Sequence, residues 1–176
     1  HVAEELNYQV PSTQTDRKAL SSTISLVVSD LKNPFYPSLV EELSIGLERT
    51  GRRLVVHVAP TLQAMENVMD QVLGYSAEGV ITTSAIAPNP LVTTCRKKNL
   101  PLVMVNRIVR DQTVNAVACD NYAGGRLVGH RIIESGRRKI AFVGGLIYTS
   151  THQDRARGFH DVLAEANLPP PNHIAG

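Results

Sequence analysis

The sequence predicts an α/β fold built on parallel sheet, and three observations carry that prediction. Short, β-branched apolar runs alternate with amphipathic helical stretches from about residue 23 onward. The strand–helix–strand order repeats, as right-handed crossover connections require. The strand candidates are nearly continuous apolar runs, the pattern of strands covered on both faces rather than one.

The elements follow in order. Ile24–Val28 is compact, apolar and β-branched, hence a strand. Asn33 is placed to cap a helix with Pro34 at its first position. Leu39, Leu43 and Leu47 then recur every four residues on one helical face, and Gly51 stands where a C-cap glycine belongs. Leu54–Val58 is the second strand. Met65, Val68, Met69, Val72 and Leu73 form the stripe of the second helix. Gly79–Thr83 is the third strand. A short helix covers about Pro90 to Lys98, with Arg96, Lys97 and Lys98 set favourably against its C-terminal dipole. Leu102–Val105 and Ala116–Cys119 are further strands, followed by a helix from about Tyr122 to Glu134. Ile140–Val143 is the next strand. A last helix from about Asp154 to Ala166 stops before Pro169, Pro170 and Pro171. Residues 1–22 differ: Val2, Ala3 and Leu6 suggest the end of a helix, and Gln9 to Ser22 is a polar linker.

Composition narrows the class. At 176 residues the chain makes one domain or two small ones, and it buries a core without staples. A net charge of +2 gives little push toward nucleic acid. Cys95 and Cys119 have no metal-ligand spacing and are expected to be reduced, buried thiols of a cytosolic protein. No apolar run of about 18 residues exists to span a membrane. His1 to Tyr8 carries Glu4 and Glu5 and no apolar core, so it is not a signal peptide. The chain opens on His1 rather than Met, which points to sequence missing upstream.

Catalytic motifs are absent: there is no glycine-rich dinucleotide or P-loop, no paired-histidine zinc motif and no nucleophile elbow. Gly144-Gly145 after a strand is a tight turn or a close approach to a phosphate. His130 and Glu134 are either half a metal site or a surface pair at i, i+4. Ser150, His152 and Asp154 cluster in sequence, but nothing marks an oxyanion hole beside them. Neither a metal nor a cofactor is expected, nor catalysis.

Binding chemistry is better represented. In open parallel sheets ligands sit beyond the carboxyl ends of the strands. Asp30, Ser84, Arg107, Asp120 and Asn121 stand there, and the loop before the last helix carries Thr151 and Arg155. Such groups grip hydroxyls, carboxylates and amides. Phe35 and Tyr36 offer flat faces for a sugar or base, or bury as a helix-start staple. Arg155 falls in the first turn of the last helix, against the dipole; a bound anion or dipolar ligand explains it, as does an ion pair with Asp154 or Asp161.

The run Leu31-Lys32-Asn33-Pro34-Phe35-Tyr36 resembles the opening of the LacI/GalR effector domain. Glu78–Ile81, Pro101–Arg107, Val117–Gly125 and Ser135–Gly145 are similar to later segments of that family in the same order, and Arg155-Ala156-Arg157-Gly158-Phe159 to its Arg-x-x-Gly-Phe. The resemblance implies a periplasmic-binding-protein-like bilobed fold of doubly wound parallel sheets. Residues 1–22 would be the end of a DNA-binding headpiece and hinge, 23–120 the N-terminal lobe, and 121–176 the start of a C-terminal lobe that is incomplete in this chain. It implies a cytoplasmic, dimeric, ligand-responsive repressor. Its effector would be a sugar, a nucleoside or nucleobase, or a sugar phosphate, lined by Phe35, Tyr36, Ser84, Arg107, Asp120 or Asn121, Thr151 and Arg155. Arg155 matches the family's ligand-anchoring arginine. Operator DNA would be reached through a headpiece mostly absent here, with Tyr8, Arg17 and Leu20 as contacts; the hinge departs from the family pattern, since Pro11 is followed by Ser12. The rival readings are a periplasmic-type sugar-binding protein without DNA binding, and an α/β enzyme.

Overall fold

The computed structural model describes residues 22–74, 77–84, 90–109 and 114–175. The headpiece and hinge expectations, with Tyr8, Arg17 and Leu20, lie outside the described residues. In chain order the elements are β1 (Thr23–Val28), α1 (Phe35–Glu48), β2 (Arg53–Val58), α2 (Leu62–Gly74), β3 (Gly79–Thr82), α3 (Pro90–Lys97), β4 (Leu102–Val105), β5 (Asn115–Val117), α4 (Asn121–Glu134), β6 (Ala141–Gly144), α5 (Ser150–Glu165) and β7 (Asn172–Ala175). The expected α/β alternation is present. Two sheets form, one of five strands in the order β2-β1-β3-β4-β5 and one of two strands, β6-β7.

β1 is flanked on both sides in parallel register, with Leu26 opposite Val56 and Ile81. That position explains its composition: Leu26, Val27 and Val28 have no exposed surface at all. β5, by contrast, is exposed at each of its three residues. α2 buries Met65, Val68, Met69 and Val72, the predicted stripe, and leaves Leu73 at its edge. Behind it α3 buries Leu91, Val92 and Cys95. Burial pushes the Cys95 thiol up to about 11. His57 is buried on β2 within 3.3 Å of the Ser25 hydroxyl. Desolvation lowers its pKa against the opposing pull of a hydrogen bond to Gln71.

Helix ends follow local chemistry. α1 is assigned from Phe35, one residue later than expected, although Pro34 is already helical at φ −60°. The Asn33 side chain accepts from the Phe35 amide at 3.0 Å, satisfying one of the donors left open at a helix start. At its other end Gly51 adopts φ +70°, with Arg52 N–H donating to the Leu47 carbonyl and Gly51 N–H to that of Glu48. This is the Schellman pattern. Asn99 and Asn167 close α3 and α5 in the same way at φ +53° and +55°; asparagine tolerates the left-handed region better than other non-glycine residues.

Three expectations are corrected. α5 begins at Ser150, four residues before Asp154, because the Thr149 hydroxyl accepts from the His152 amide and caps it. The polar run Ser150-Thr151-His152-Gln153 has no apolar period to announce a helix. β7 was not anticipated: it has Ile174 as its one large apolar residue, and backbone pairing with β6 makes it a strand. Cys119 is exposed rather than buried, since the strand ends at Val117 and the chain has left the sheet.

The described residues fall into two compact units, 22–82 with 90–102, and 83–84 with 103–175. No helix among them is long and apolar enough to cross a membrane.

Candidate functional site

Phe35 and Tyr36 belong to the first unit, at the head of α1. Tyr36 is buried and Phe35 is 44% exposed. Their rings meet edge to face, centroids 5.4 Å apart.

The remaining predicted effector-site residues all belong to the second unit, where the structure brings four of them together. Asn106 ends β4 in the left-handed region, at φ +59°, and turns the chain so that Arg107 reaches α5. Arg107 Nη1 donates to Thr151 Oγ1 at 3.0 Å and to the Asn106 carbonyl at 2.8 Å. The next residue repeats the link, with Ile108 N–H donating to Ser150 Oγ at 3.0 Å. One turn further along α5, Arg155 Nε donates to Asn121 Oδ1 at 2.9 Å. Asn121 is buried, and its Nδ2 donates to the Cys119 carbonyl at 3.0 Å.

Asp120 does different work from Asn121. It is the N-cap of α4, its carboxylate accepting from the Ala123 amide at 2.8 Å. Asn121 is therefore the member of that pair bonded to Arg155. Ser84 lies fully buried, as does its neighbour Thr83.

The earlier start of α5 alters the argument about Arg155. It stands in the second turn, not the first, so opposition to the helix dipole no longer calls for a ligand. Nor does it form the alternative ion pairs: Asp154 is taken by Arg157 at 3.3 Å and Asp161 accepts from Tyr122 Oη at 2.8 Å. What remains is a guanidinium oriented by a neutral amide.

Backbone contact between α4 and α5 holds these side chains in place. A methyl group on Gly125 would strike the backbone of Arg155, and one on Gly158 the Tyr122 carbonyl. Gly129 lies against Val162 in the same seam. Around it, Arg126 grips both oxygens of Glu165 at 2.7 and 2.9 Å, and Arg157 lies over the Tyr122 ring at 4.8 Å. Sequence reasoning missed this seam. Its signal was available, since Gly125 and Gly129 repeat at i, i+4 on one helical face.

A cavity of about 590 Å³ opens beside Asn121 and Arg155, walled by Val128, Phe142, Val143 and Phe159. Cys119 lies on its edge. Phe142 and Phe159 pack at 5.5 Å between centroids. The glycine at the end of β6 belongs to this packing: the His152 ring occupies the space a Cβ on Gly144 would need, and stacks edge-on against Phe142 at 5.8 Å. Ser150 is engaged by the Ile108 amide. Glu134 pairs with Arg131 at 3.5 Å. Among the described residues no group of three His, Cys, Asp or Glu side chains is placed to hold a metal.

The thiols provide a check on this geometry. Cys119 is expected to react with a maleimide under native conditions while Cys95, buried with its pKa raised, stays unmodified. Mass spectrometry of tryptic peptides reads the ratio; equal labelling of both thiols would contradict the burial described.

Parallel sheet with polar side chains past its strand ends, Asn121 and Arg155 among them beside an open cavity, is the arrangement in which open α/β folds place their ligands. Residues 21–175 match the family described as periplasmic binding proteins and sugar binding domain of LacI family, and the chain belongs to that family. It is 25% identical over 155 residues to the HTH-type transcriptional regulator GalR of Salmonella typhimurium, covering 88% of this chain and 45% of that protein. The Cra transcriptional dual regulator of Pseudomonas putida, solved with fructose 1-phosphate, superposes with a TM-score of 0.80 at 20% identity over 89% of this chain and 58% of its own. The regulator CelR in complex with cellobiose gives 0.79 at 25% identity over 98% and 54%. The chain thus spans about half the length of the curated relatives it matches.

Proposed function

We propose that this chain is the effector-binding region of a LacI/GalR-type transcriptional repressor, and that it binds a small polar molecule rather than transforming one. The observation that carries this is the pair of contacts Asn121–Arg155 and Arg107–Thr151, two guanidinium groups each held by a neutral partner and each meeting α5, at Arg155 and at Thr151 one turn earlier. The match to regulators such as GalR supports it. In this reading residues 1–22 lead from a headpiece, 23–120 form one lobe and 121–176 begin the other. The protein is cytoplasmic and works as a homodimer. Effector shifts the population between two lobe arrangements and so changes the spacing of the headpieces on operator DNA. Linkage makes the coupling reciprocal: operator alters effector affinity by the same factor. Ser150, whose hydroxyl receives the Ile108 amide, acts as a structural tether rather than a nucleophile.

The test is a calorimetric titration of the protein with a panel of sugars, sugar phosphates and nucleosides, repeated with Arg155→Ala. Loss of a charge-assisted hydrogen-bonding group is expected to weaken binding by about 10- to 100-fold. Unchanged affinity in the variant removes Arg155 from the pocket. Operator binding that responds to the same compound separates a repressor from a periplasmic-type binding protein.

A further inference from the structure

We propose that the first unit carries a DNA contact of its own, outside any headpiece: the edge at which β1, β2 and β3 begin is a basic surface that meets the phosphate backbone without reading sequence. The inference rests on the repressor reading above and adds the surface.

Charge in the first unit is segregated rather than large. Its described residues hold seven Lys and Arg and seven Asp and Glu, and so are formally neutral. Six of the seven cations, Arg49, Arg52, Arg53, Arg96, Lys97 and Lys98, stand where α1 and α3 end and β2 and β4 begin, and all six are exposed. Only Glu48 and Glu78 accompany them there. The other acids, Asp30, Glu41, Glu42, Glu66 and Asp70, lie along α1 and α2 or past the far end of β1.

Backbone hydrogen bonds tie these positions into one edge. Arg53 N–H donates to the Ser22 carbonyl at 2.9 Å, Glu78 N–H to that of Thr23 at 2.8 Å and Val80 N–H to that of Pro101 at 2.8 Å. β1, β2 and β3 run parallel, so their starts share one side with the ends of the helices that lead into them.

Helix dipoles do not account for the surplus. Cations at helix C-termini are favourable, yet each end carries only about half a negative charge. The ends of α1, α2 and α3 together offset about one and a half of the cations. Arg52 pairs with Glu78 at 2.9 Å; among the described residues no ion pair engages the other five. Cations adjacent in the chain, Arg52 with Arg53 and Lys97 with Lys98, repel one another, and a polyanion that sheds its condensed counterions on meeting them relieves that repulsion. DNA is favoured over an acidic protein by connectivity. The chain enters the first unit at this same edge, at Thr23 of β1. DNA held by residues ahead of β1 is therefore tethered on the basic side, at high effective concentration.

The experiment is fluorescence anisotropy of this chain with two labelled duplexes of unrelated sequence, each about 30 base pairs, at about 50 to 200 mM salt. The triple variant Arg53→Gln, Lys97→Gln, Lys98→Gln is expected to weaken binding to both duplexes alike by about 10-fold or more at low salt. It should also flatten the slope of log affinity against log salt by about 2 to 3. Glu48→Gln, which removes an acid from the edge, is expected to tighten binding about two- to threefold, a change that unfolding cannot imitate. Arg137→Gln, Arg138→Gln, Lys139→Gln takes the same charge from the second unit and is expected to stay within about threefold of the parent. Circular dichroism melts confirm that the variants fold. Equal losses in the two triple variants overturn the inference, because the edge would then act only through overall charge. So do a loss confined to one duplex, a parent chain that binds neither, and polyglutamate bound as tightly as DNA at equal charge, which would assign the edge to an acidic polypeptide. Each of these leaves effector binding untouched; the repressor reading fails separately, when no compound changes operator binding.

Discussion

Gly125→Val is expected to destabilise the second unit by about 3 kcal/mol, the upper end of what overpacking costs. Helix propensity alone predicts the opposite sign, since glycine within a helix is worse than alanine by about 1 kcal/mol. Geometry decides against propensity. Any Cβ at Gly125 meets the Arg155 carbonyl, and that carbonyl belongs to backbone, which cannot rotate aside as a flexible side chain does. Relief requires α5 to move off α4, loosening the Tyr122–Asp161 and Arg126–Glu165 contacts on either side of the seam. For a chain of this size the loss corresponds to about 6–12 °C in Tm, provided unfolding is reversible. Gly124→Ala is the control: a methyl there meets nothing within 4 Å, so the melting temperature should hold or rise. A Gly125→Val protein that melts with its parent would show that the helices do not touch at this point.

Leu26→Ala is expected to cost about 2–5 kcal/mol, the range for emptying a well-packed leucine site. Leu26 lies on β1 between β2 and β3, fully buried. A strand paired on both sides has little freedom to collapse into the void, which places the loss toward the upper part of that range. Leu31→Ala, at a position 42% exposed, should stay within about 0.5 kcal/mol of the parent. Urea unfolding of the two variants measures the contrast. Equal midpoints would mean that Leu26 is not buried on a strand paired on both sides.

Much of the fold was legible because most of its strands are nearly continuous apolar runs. β4 lies at Leu102–Val105 as expected, and most other strands begin or end within a residue of the predicted boundary. The Gly51 cap was legible for a local reason, since only a few residues tolerate φ near +70°. Elements lacking local signals were not. β7 exists because β6 offers a row of backbone partners, and no periodicity in Asn172–Ala175 announces it. The early start of α5 depends on one hydroxyl, that of Thr149. The site divides in the same way. Residue type and position after a strand identified Arg107, Asn121, Thr151 and Arg155, whereas their pairing depends on contacts across 34 and 44 residues of chain.

The amino-acid order alone determined most of the strands and helices and which polar groups stand beyond the strand ends, because periodicity and capping act over a few residues. Packing decided the rest: that α4 and α5 meet glycine to backbone, that Asp120 caps while Asn121 orients Arg155, and that Arg107 retains a buried donor with no acceptor. Such outcomes require groups distant in sequence to arrive at hydrogen-bonding range together, which is a property of the folded arrangement and not of any window of sequence.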